Sequence, residues 1–329
     1  MAPRAIVTGG AGFIGSHLVD ALIAGGYEVV VVDDLRGGRE SNLAEAGDRV
    51  ELVRADIGHD EEKLSGLVRE GDHVFHLAAM ADIVPSIERP RDYFDSNVRG
   101  TFNVLEVARE GGAARFVYAA SSSCYGIPEQ YPTPEDSPID TRYPYAHTKY
   151  QGELLVRHWA DVYGLPTVSL RFFNVYGPRS RTSGAYGAVF GVFLAQKING
   201  EPFTVVGDGT QSRDFTYVSD VVEAIVTAAK SDIANEILNI ASGEPQSVNR
   251  LVELLGGDVV HVPKRPGEPD CTWGDISKAR RLLGWEPSVS FEDGVARMLE
   301  RIDDWREAPV WTPESIEGAT KAWFAHLAP

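Results

Sequence analysis

The sequence predicts an α/β protein built on a doubly wound parallel sheet, with a smaller α/β lobe beside it. Three observations lead there. Short runs rich in Val and Ile alternate with longer amphipathic stretches through the first half of the chain, as a sheet covered by helices on both faces requires. Strand, helix and strand follow in that order, and right-handed crossovers then wind the sheet outward in both directions. The first strand also opens through a glycine-rich turn into a helix, the junction at which such sheets bind ligands.

Strands are expected at Ala5–Thr8, Glu28–Asp33, Val50–Arg54, His73–Leu77, Arg115–Ala119 and Thr167–Arg171. Helices are expected at Phe13–Ala24, Arg91–Arg109 and Ala146–Tyr163. After Asn174, Gly, Pro and Arg become common, short strands interrupt the helices, and Trp residues gather toward the C-terminus. This portion is expected to form the smaller lobe over the carboxyl ends of the strands. The stretch Asp214–Ala241 turns regular again and is expected to rejoin the sheet. The expected division is therefore 1–175 plus about 214–241 for dinucleotide binding, and about 176–213 and 242–329 for substrate binding.

At 329 residues the chain can bury one large core or two modest ones. A formal charge of −17 argues against nucleic acid and anionic membranes as partners. No apolar run approaches the roughly 18 residues of a membrane span. Met1-Ala2-Pro3-Arg4 runs straight into a strand without the features of a secretory signal, so the cytoplasm is the expected setting. Two cysteines, Cys124 and Cys271, are expected as reduced thiols. The eight histidines show no metal-ligand spacing, and no metal is expected.

The first strand leads into Gly9-Gly10-Ala11-Gly12-Phe13-Ile14-Gly15. Glycine at 9, 12 and 15 permits a tight turn, close approach to a pyrophosphate and close helix packing, with phosphate at the positive helix end. The second strand ends at Asp33, an acid that accepts from ribose hydroxyls and repels a 2′-phosphate, so NAD is expected over NADP. Arg36 and Arg39 follow and could receive a 2′-phosphate, but Asp33 and Asp34 stand in front of them. Asp56, after the third strand, is placed to accept from the adenine amino group.

Tyr145 and Lys149 are four apart at the start of a predicted helix and share a face. A tyrosine serves as a base only when its phenolate is stabilised, and a nearby ammonium does this. Ser121, Ser122 and Ser123 follow the fifth strand, where a hydroxyl can reach a sugar hydroxyl or developing ketone.

Taken together, the Gly9–Gly15 loop, His76-Leu77-Ala78-Ala79, Ser121-Ser122-Ser123-Cys124-Tyr125-Gly126, Tyr145 with Lys149, and Arg171-Phe172-Phe173-Asn174-Val175-Tyr176-Gly177-Pro178-Arg179 resemble the extended short-chain dehydrogenase/reductases. The resemblance to this NAD-dependent epimerase/dehydratase family covers nearly the whole chain and is closest to the UDP-hexose 4-epimerases. It implies a Rossmann-type sheet whose NAD meets Gly9, Gly12, Phe13, Ile14 and Gly15 at the pyrophosphate, Asp33, Asp56 and Ile57 at the adenosine, and Leu77, Ala78, Ala79 and Lys149 toward the nicotinamide. Tyr145 would take the proton of the sugar 4-hydroxyl while C4 gives hydride to NAD. Lys149 would hold the nicotinamide ribose and lower the Tyr145 pKa, and Ser121 would complete the proton path. The 4-keto sugar would then turn and receive the hydride on its other face.

For the substrate, the resemblance implies contacts from Ser122, Ser123 and Asn174, and uracil reading by the backbone of Ala188, Val189 and Phe190. Arg213 and Arg265, each in a Gly- or Pro-rich loop, look like diphosphate clamps, for which a guanidinium fork is suited. Thr272 falls where a bulky residue would exclude an N-acetyl group, so UDP-GlcNAc is expected alongside UDP-glucose. Dehydratases and decarboxylases of the family carry carboxylates where Ser122 and Ser123 stand, which disfavours elimination here. UDP-glucuronate epimerisation is the runner-up, through Arg179 and Arg181. An NAD(P)-dependent reductase or dehydratase on a nucleotide sugar is the further alternative. A homodimer through Arg91–Arg109 and Ala146–Tyr163 is implied. The segment from Trp305 to Trp323 receives no functional account.

Overall fold

The predicted strands carry apolar residues on both sides, and the computed structural model, which describes residues 2–180 and 188–327, buries both sides. The strands are β1 (Arg4–Thr8), β2 (Glu28–Asp33), β3 (Val50–Arg54), β4 (His73–His76), β5 (Arg115–Ser121), β6 (Thr167–Phe172) and β7 (Glu236–Ile240). All seven run parallel in the order β7-β6-β5-β4-β1-β2-β3, a Rossmann-type sheet. The period of two sorts the side chains into two cores. Val7, Val31, Phe75, Val117 and Leu170 pack on one face, and Ile6, Val30, Val74, Phe116 and Tyr118 on the other. Strand order reverses between β1 and β4, and the crevice at their carboxyl ends is where such a sheet takes its ligand.

Helix α1 (Phe13–Ala24) is as expected. The expected helix Arg91–Arg109 is instead broken into three pieces. A short helix Pro90–Phe94 passes through a π-type turn, Asp95–Arg99, into α2 (Gly100–Gly111). The wide turn carries buried Asn97, whose side chain accepts from the Met80 N–H at 2.8 Å and donates to the Met80 carbonyl at 3.0 Å and Thr148 Oγ1 at 3.1 Å. Those tertiary bonds accompany the extra residue, which a 3.6-residue period alone cannot reveal. Helix α3 (Pro144–Tyr163) begins with Pro at its first position and ends at Gly164, in the left-handed conformation. Strand β5 runs two residues past its expected end and so delivers Ser121 at its tip.

The Asp214–Ala241 stretch does two things. Phe215–Tyr217 pairs with Asn174–Tyr176 outside the main sheet, and helix Val218–Lys230 then leads into β7 beside β6. Two further pairs, Ser212–Arg213 with Gln246–Ser247 and Phe203–Val206 with Val259–Val262, carry the loops around the site. The C-terminal helix Pro313–Leu327 buries Trp323, and Trp305 is fully buried before it. Among the described residues, no helix is long and apolar enough to cross a membrane, and no group of three His, Cys, Asp or Glu side chains could hold a metal. Cys124 and Cys271 are both free thiols.

Candidate active site

The cradle begins at Gly9, whose φ of +72° is a left-handed conformation suited to glycine. A Cβ there would stand 2.6 Å from the Ala78 nitrogen, and one on Gly15 would stand 2.1 Å from the Gly9 carbonyl oxygen. Three backbones therefore meet where only hydrogens fit. No side chain caps α1 at Gly12, leaving its first N–H groups open to an anion. These features fit a dinucleotide pyrophosphate.

Asp33 closes the far side of the turn. Its carboxylate accepts from the Ala11 N–H at 2.9 Å and the Leu35 N–H at 2.8 Å, and burial raises its pKa above the usual carboxylate range. Each oxygen keeps a second lone pair for a ribose hydroxyl. Arg36 is turned onto Asp56 at 3.0 Å and lies 3.4 Å from Asp34, so it is already ion-paired on the adenosine side. Asp56 also accepts from the Gly58 N–H at 2.8 Å. Burial raises its pKa, but the Gly58 and His59 hydrogen bonds and the Arg36 charge outweigh this and leave it lowered. Ile57 points into the core beneath Gly100, so only its backbone remains for a ligand.

His76 fixes the wall between β1 and α2. Thr101 Oγ1 donates to the Asn97 carbonyl at 2.6 Å and must therefore accept from His76 Nε2 at 2.9 Å. His76 Nδ1 is then free to accept from Thr8 Oγ1 at 2.6 Å. Burial, aided by the Lys149 charge, pushes the imidazole down to about 3, so it stays neutral. The same Thr8 oxygen accepts from the Ala78 N–H at 3.3 Å, tying the Leu77–Ala79 turn to β1.

Tyr145 and Ser121 meet as expected, the phenol donating to Ser121 Oγ at 3.2 Å. Ser121 also accepts from the Ser123 N–H at 3.2 Å, and its Oγ lies 2.8 Å from Ser123 Oγ, making a short hydroxyl relay. Burial raises the Tyr145 pKa, with the Ser121 bond pulling the other way and the Asp82 charge adding to the rise. Lys149 is buried one turn along α3, and burial pushes its ammonium down to about 7 against the pull of Glu153. Its Nζ lies 4.2 Å from the centre of the Tyr118 ring. Burial thus disfavours the charged form of both groups, which stand four residues apart on α3, and the Ser121 hydrogen bond works toward a Tyr145 phenolate.

The other end of the crevice gathers residues distant in sequence. Thr272 Oγ1 donates to Asn174 Oδ1 at 2.8 Å and accepts from the Asp214 N–H at 3.1 Å. Asp214 is fully buried and accepts from the Ser242 N–H and hydroxyl, both at 2.6 Å, and from the Gly243 and Gly274 N–H groups at 3.2 and 3.1 Å. Sequence reasoning missed this acid as the organiser of the loops. Glu268 bridges the two candidate clamps, 2.8 Å from Arg213 and 3.1 Å from Arg265. That carboxylate between two guanidinium groups shows that the loop geometry can focus both on one anion.

Three expectations need correction or restriction. Phe190 stacks on Tyr176 at 4.4 Å within a core cluster, so its ring serves packing and only its backbone is available to a base. Ala188 and Val189 lie at the start of the same helix, Val189–Asn199. Arg179 is held by Asp20 at 2.6 Å and Glu45 at 3.5 Å, on the α1 side of the turn. Arg181 lies outside the described residues.

Comparison with known proteins agrees with this geometry. The model of the NAD dependent epimerase/dehydratase family matches residues 5–241. The UDP-glucose 4-epimerase of Mycolicibacterium smegmatis is 37% identical over 309 residues, spanning 90% of this chain and 97% of that one. The UDP-glucuronate 4-epimerase of Thermodesulfobacterium geofontis is 34% identical over 328 residues, spanning 95% and 97%. The crystal structure of the Thermotoga maritima UDP-glucose 4-epimerase with UDP-glucose superposes with a TM-score of 0.85 at 36% identity, covering 92% of this chain and 99% of that one. The chain belongs to the NAD-dependent epimerase/dehydratase family, enzymes that act on UDP-sugars with NAD as cofactor.

Proposed function

We propose that the protein inverts the C4 hydroxyl of a neutral UDP-hexose, UDP-glucose or UDP-galactose, and admits the N-acetylated hexoses as well. The observation that carries this reading is the hydroxyl relay Tyr145–Ser121–Ser123 at the tip of β5, with buried Lys149 on the same helix face. Bound NAD supplies the hydride acceptor and, once the keto sugar has turned, the hydride donor. Tyr145 takes the proton from the 4-hydroxyl and later returns it, with Ser121 holding the oxygen in line. Asn174 and Thr272 border the sugar and diphosphate, while Arg213 and Arg265 exchange Glu268 for the diphosphate as their shared anion. Ser122 and Ser123 offer no carboxylate for elimination.

A neutral sugar is favoured over a uronate because Arg179, one of the two arginines offered for a sugar carboxylate, is tied to Asp20 and Glu45. The same reading carries two lobes, with the dinucleotide-binding domain at 1–175 plus about 214–241. It also carries a cytoplasmic setting, which suits the two free thiols, and a homodimer through α2 and α3. Phe102 on α2 and Leu154, Val162 and Tyr163 on α3 are exposed, as an unpartnered helix pair would leave them.

The test is incubation of the holoprotein with UDP-glucose, UDP-GlcNAc and UDP-glucuronate without added reductant, read by proton NMR. The expected result is a C4 epimer of the neutral sugars rising to equilibrium. A 4-keto-6-deoxy product, or turnover of the uronate alone, overturns the reading.

A further inference from the structure

Trp323 is far in sequence from the rest of the candidate site, yet only 3% of it is exposed. Its indole N–H donates to the Pro266 carbonyl at 2.7 Å, inside the loop that carries Arg265. The Arg265 guanidinium carbon lies 5.4 Å from the indole centre, over the ring. The Tyr143 ring lies 6.2 Å from the indole, and Tyr143 in turn lies parallel to Tyr145, at 6.3 Å and 9°. One side chain therefore touches the arginine, the backbone beside it and the aromatic residue two positions before the candidate base.

We propose that Trp323 is the positioning residue for Arg265, holding its guanidinium where a substrate diphosphate arrives and linking that clamp through Tyr143 to the start of α3. This rests on the assignment of Arg265 to the diphosphate. A free arginine must give up side-chain freedom each time it grips an anion, and a guanidinium seated on an indole face has lost that freedom beforehand. The N–H bond to Pro266 fixes the turn from which the arginine projects. A tryptophan that merely filled space would stabilise the fold equally but would leave ligand affinity untouched once folding is secured.

The experiment uses the NAD-loaded protein and UDP alone as the probe, by calorimetry, followed by steady-state kinetics. Trp323→Leu is expected to weaken UDP binding and raise KM by about tenfold, with kcat within about twofold and NAD content unchanged. Trp323→Phe keeps an aromatic face and most of the buried volume but loses the N–H, and is expected to weaken UDP binding about threefold. In Arg265→Ala the further change Trp323→Leu is expected to add little, because the two act as one unit. Unchanged UDP affinity in Trp323→Phe, or fully additive effects in the double variant, overturns the proposal. If Trp323→Leu fails to fold, the Phe variant decides alone. If Arg265→Ala itself binds UDP normally, the diphosphate assignment fails first, and the proposal falls with it.

Discussion

The Lys149 ammonium lies 4.2 Å from the centre of the Tyr118 ring, and the Tyr118 hydroxyl donates to the Lys149 carbonyl at 3.1 Å. The ring face favours the charged lysine where burial opposes it. Tyr118→Leu should therefore lower the Lys149 pKa further and leave a Tyr145 phenolate less stabilised. The acid limb of the kcat profile should move up by about half a pH unit or more. An unmoved limb, with NAD still bound, would show that the ring does not act on the lysine.

Tyr145→Phe removes the candidate base while keeping its ring. The expected loss in kcat is about 10²–10⁴-fold, with NAD retained. Ser121→Ala, which leaves the phenol without its partner at 3.2 Å, should cost less, about tenfold to a hundredfold. Equal activity of Tyr145→Phe and the parent would remove Tyr145 from the mechanism.

Acid should weaken the fold through His76. Its folded pKa, about 3, lies below the ordinary 6.5, so below pH 6.5 the unfolded chain takes up a proton that the native state refuses. This contribution is fully present above pH 6.5 and declines as pH falls toward 3, with a slope of up to about 1.4 kcal/mol per pH unit. Urea titrations from pH 7 to pH 4 should show that limb in the parent and a flatter one in His76→Asn. Parallel curves would exclude His76 as the cause.

Arg171 and Glu153 form a two-pronged ion pair at 2.6 and 2.8 Å, with both side chains buried. Arg171 also donates to the Tyr125 hydroxyl at 2.7 Å. Glu153→Gln strands a buried guanidinium and should lower unfolding free energy by about 3–5 kcal/mol, measured by urea denaturation.

Thr272 is the proposed gate for the N-acetyl group. Thr272→Tyr should cut UDP-GlcNAc turnover at least tenfold while sparing UDP-glucose. Competition assays with both sugars measure the ratio directly, and a parallel loss on both would point to the broken Asn174 bond instead.

The parts legible from sequence are those that local pattern dictates. Val30-Val31-Val32 must be covered on both faces, and Gly9 and Gly15 stand where backbones collide, so the sheet and cradle followed directly. The Tyr145–Ser121 meeting followed from resemblance and was found. The rest depends on partners distant in the chain. Asn97 sits in a π-type turn and bonds to Met80 and Thr148, and no helical period reports that. Asp214 reads as a loop acid until four donors from two other segments, Ser242-Gly243 and Gly274, converge on it. No helix was expected at Phe190, and its ring goes to the core because Tyr176, Phe215 and Phe291 close around it.

The lateness of β7 has a consequence for synthesis. Residues 236–240 pair with β6, so a growing chain that has already made the glycine turn, Ser121, Tyr145 and Lys149 still presents β6 as a raw edge bearing Val168 and Leu170. A truncation anywhere between 173 and 235 would keep that edge open to self-association. Only once Glu236–Ile240 is made is β6 covered, so the sheet closes well after Tyr145 and Lys149 have entered the chain.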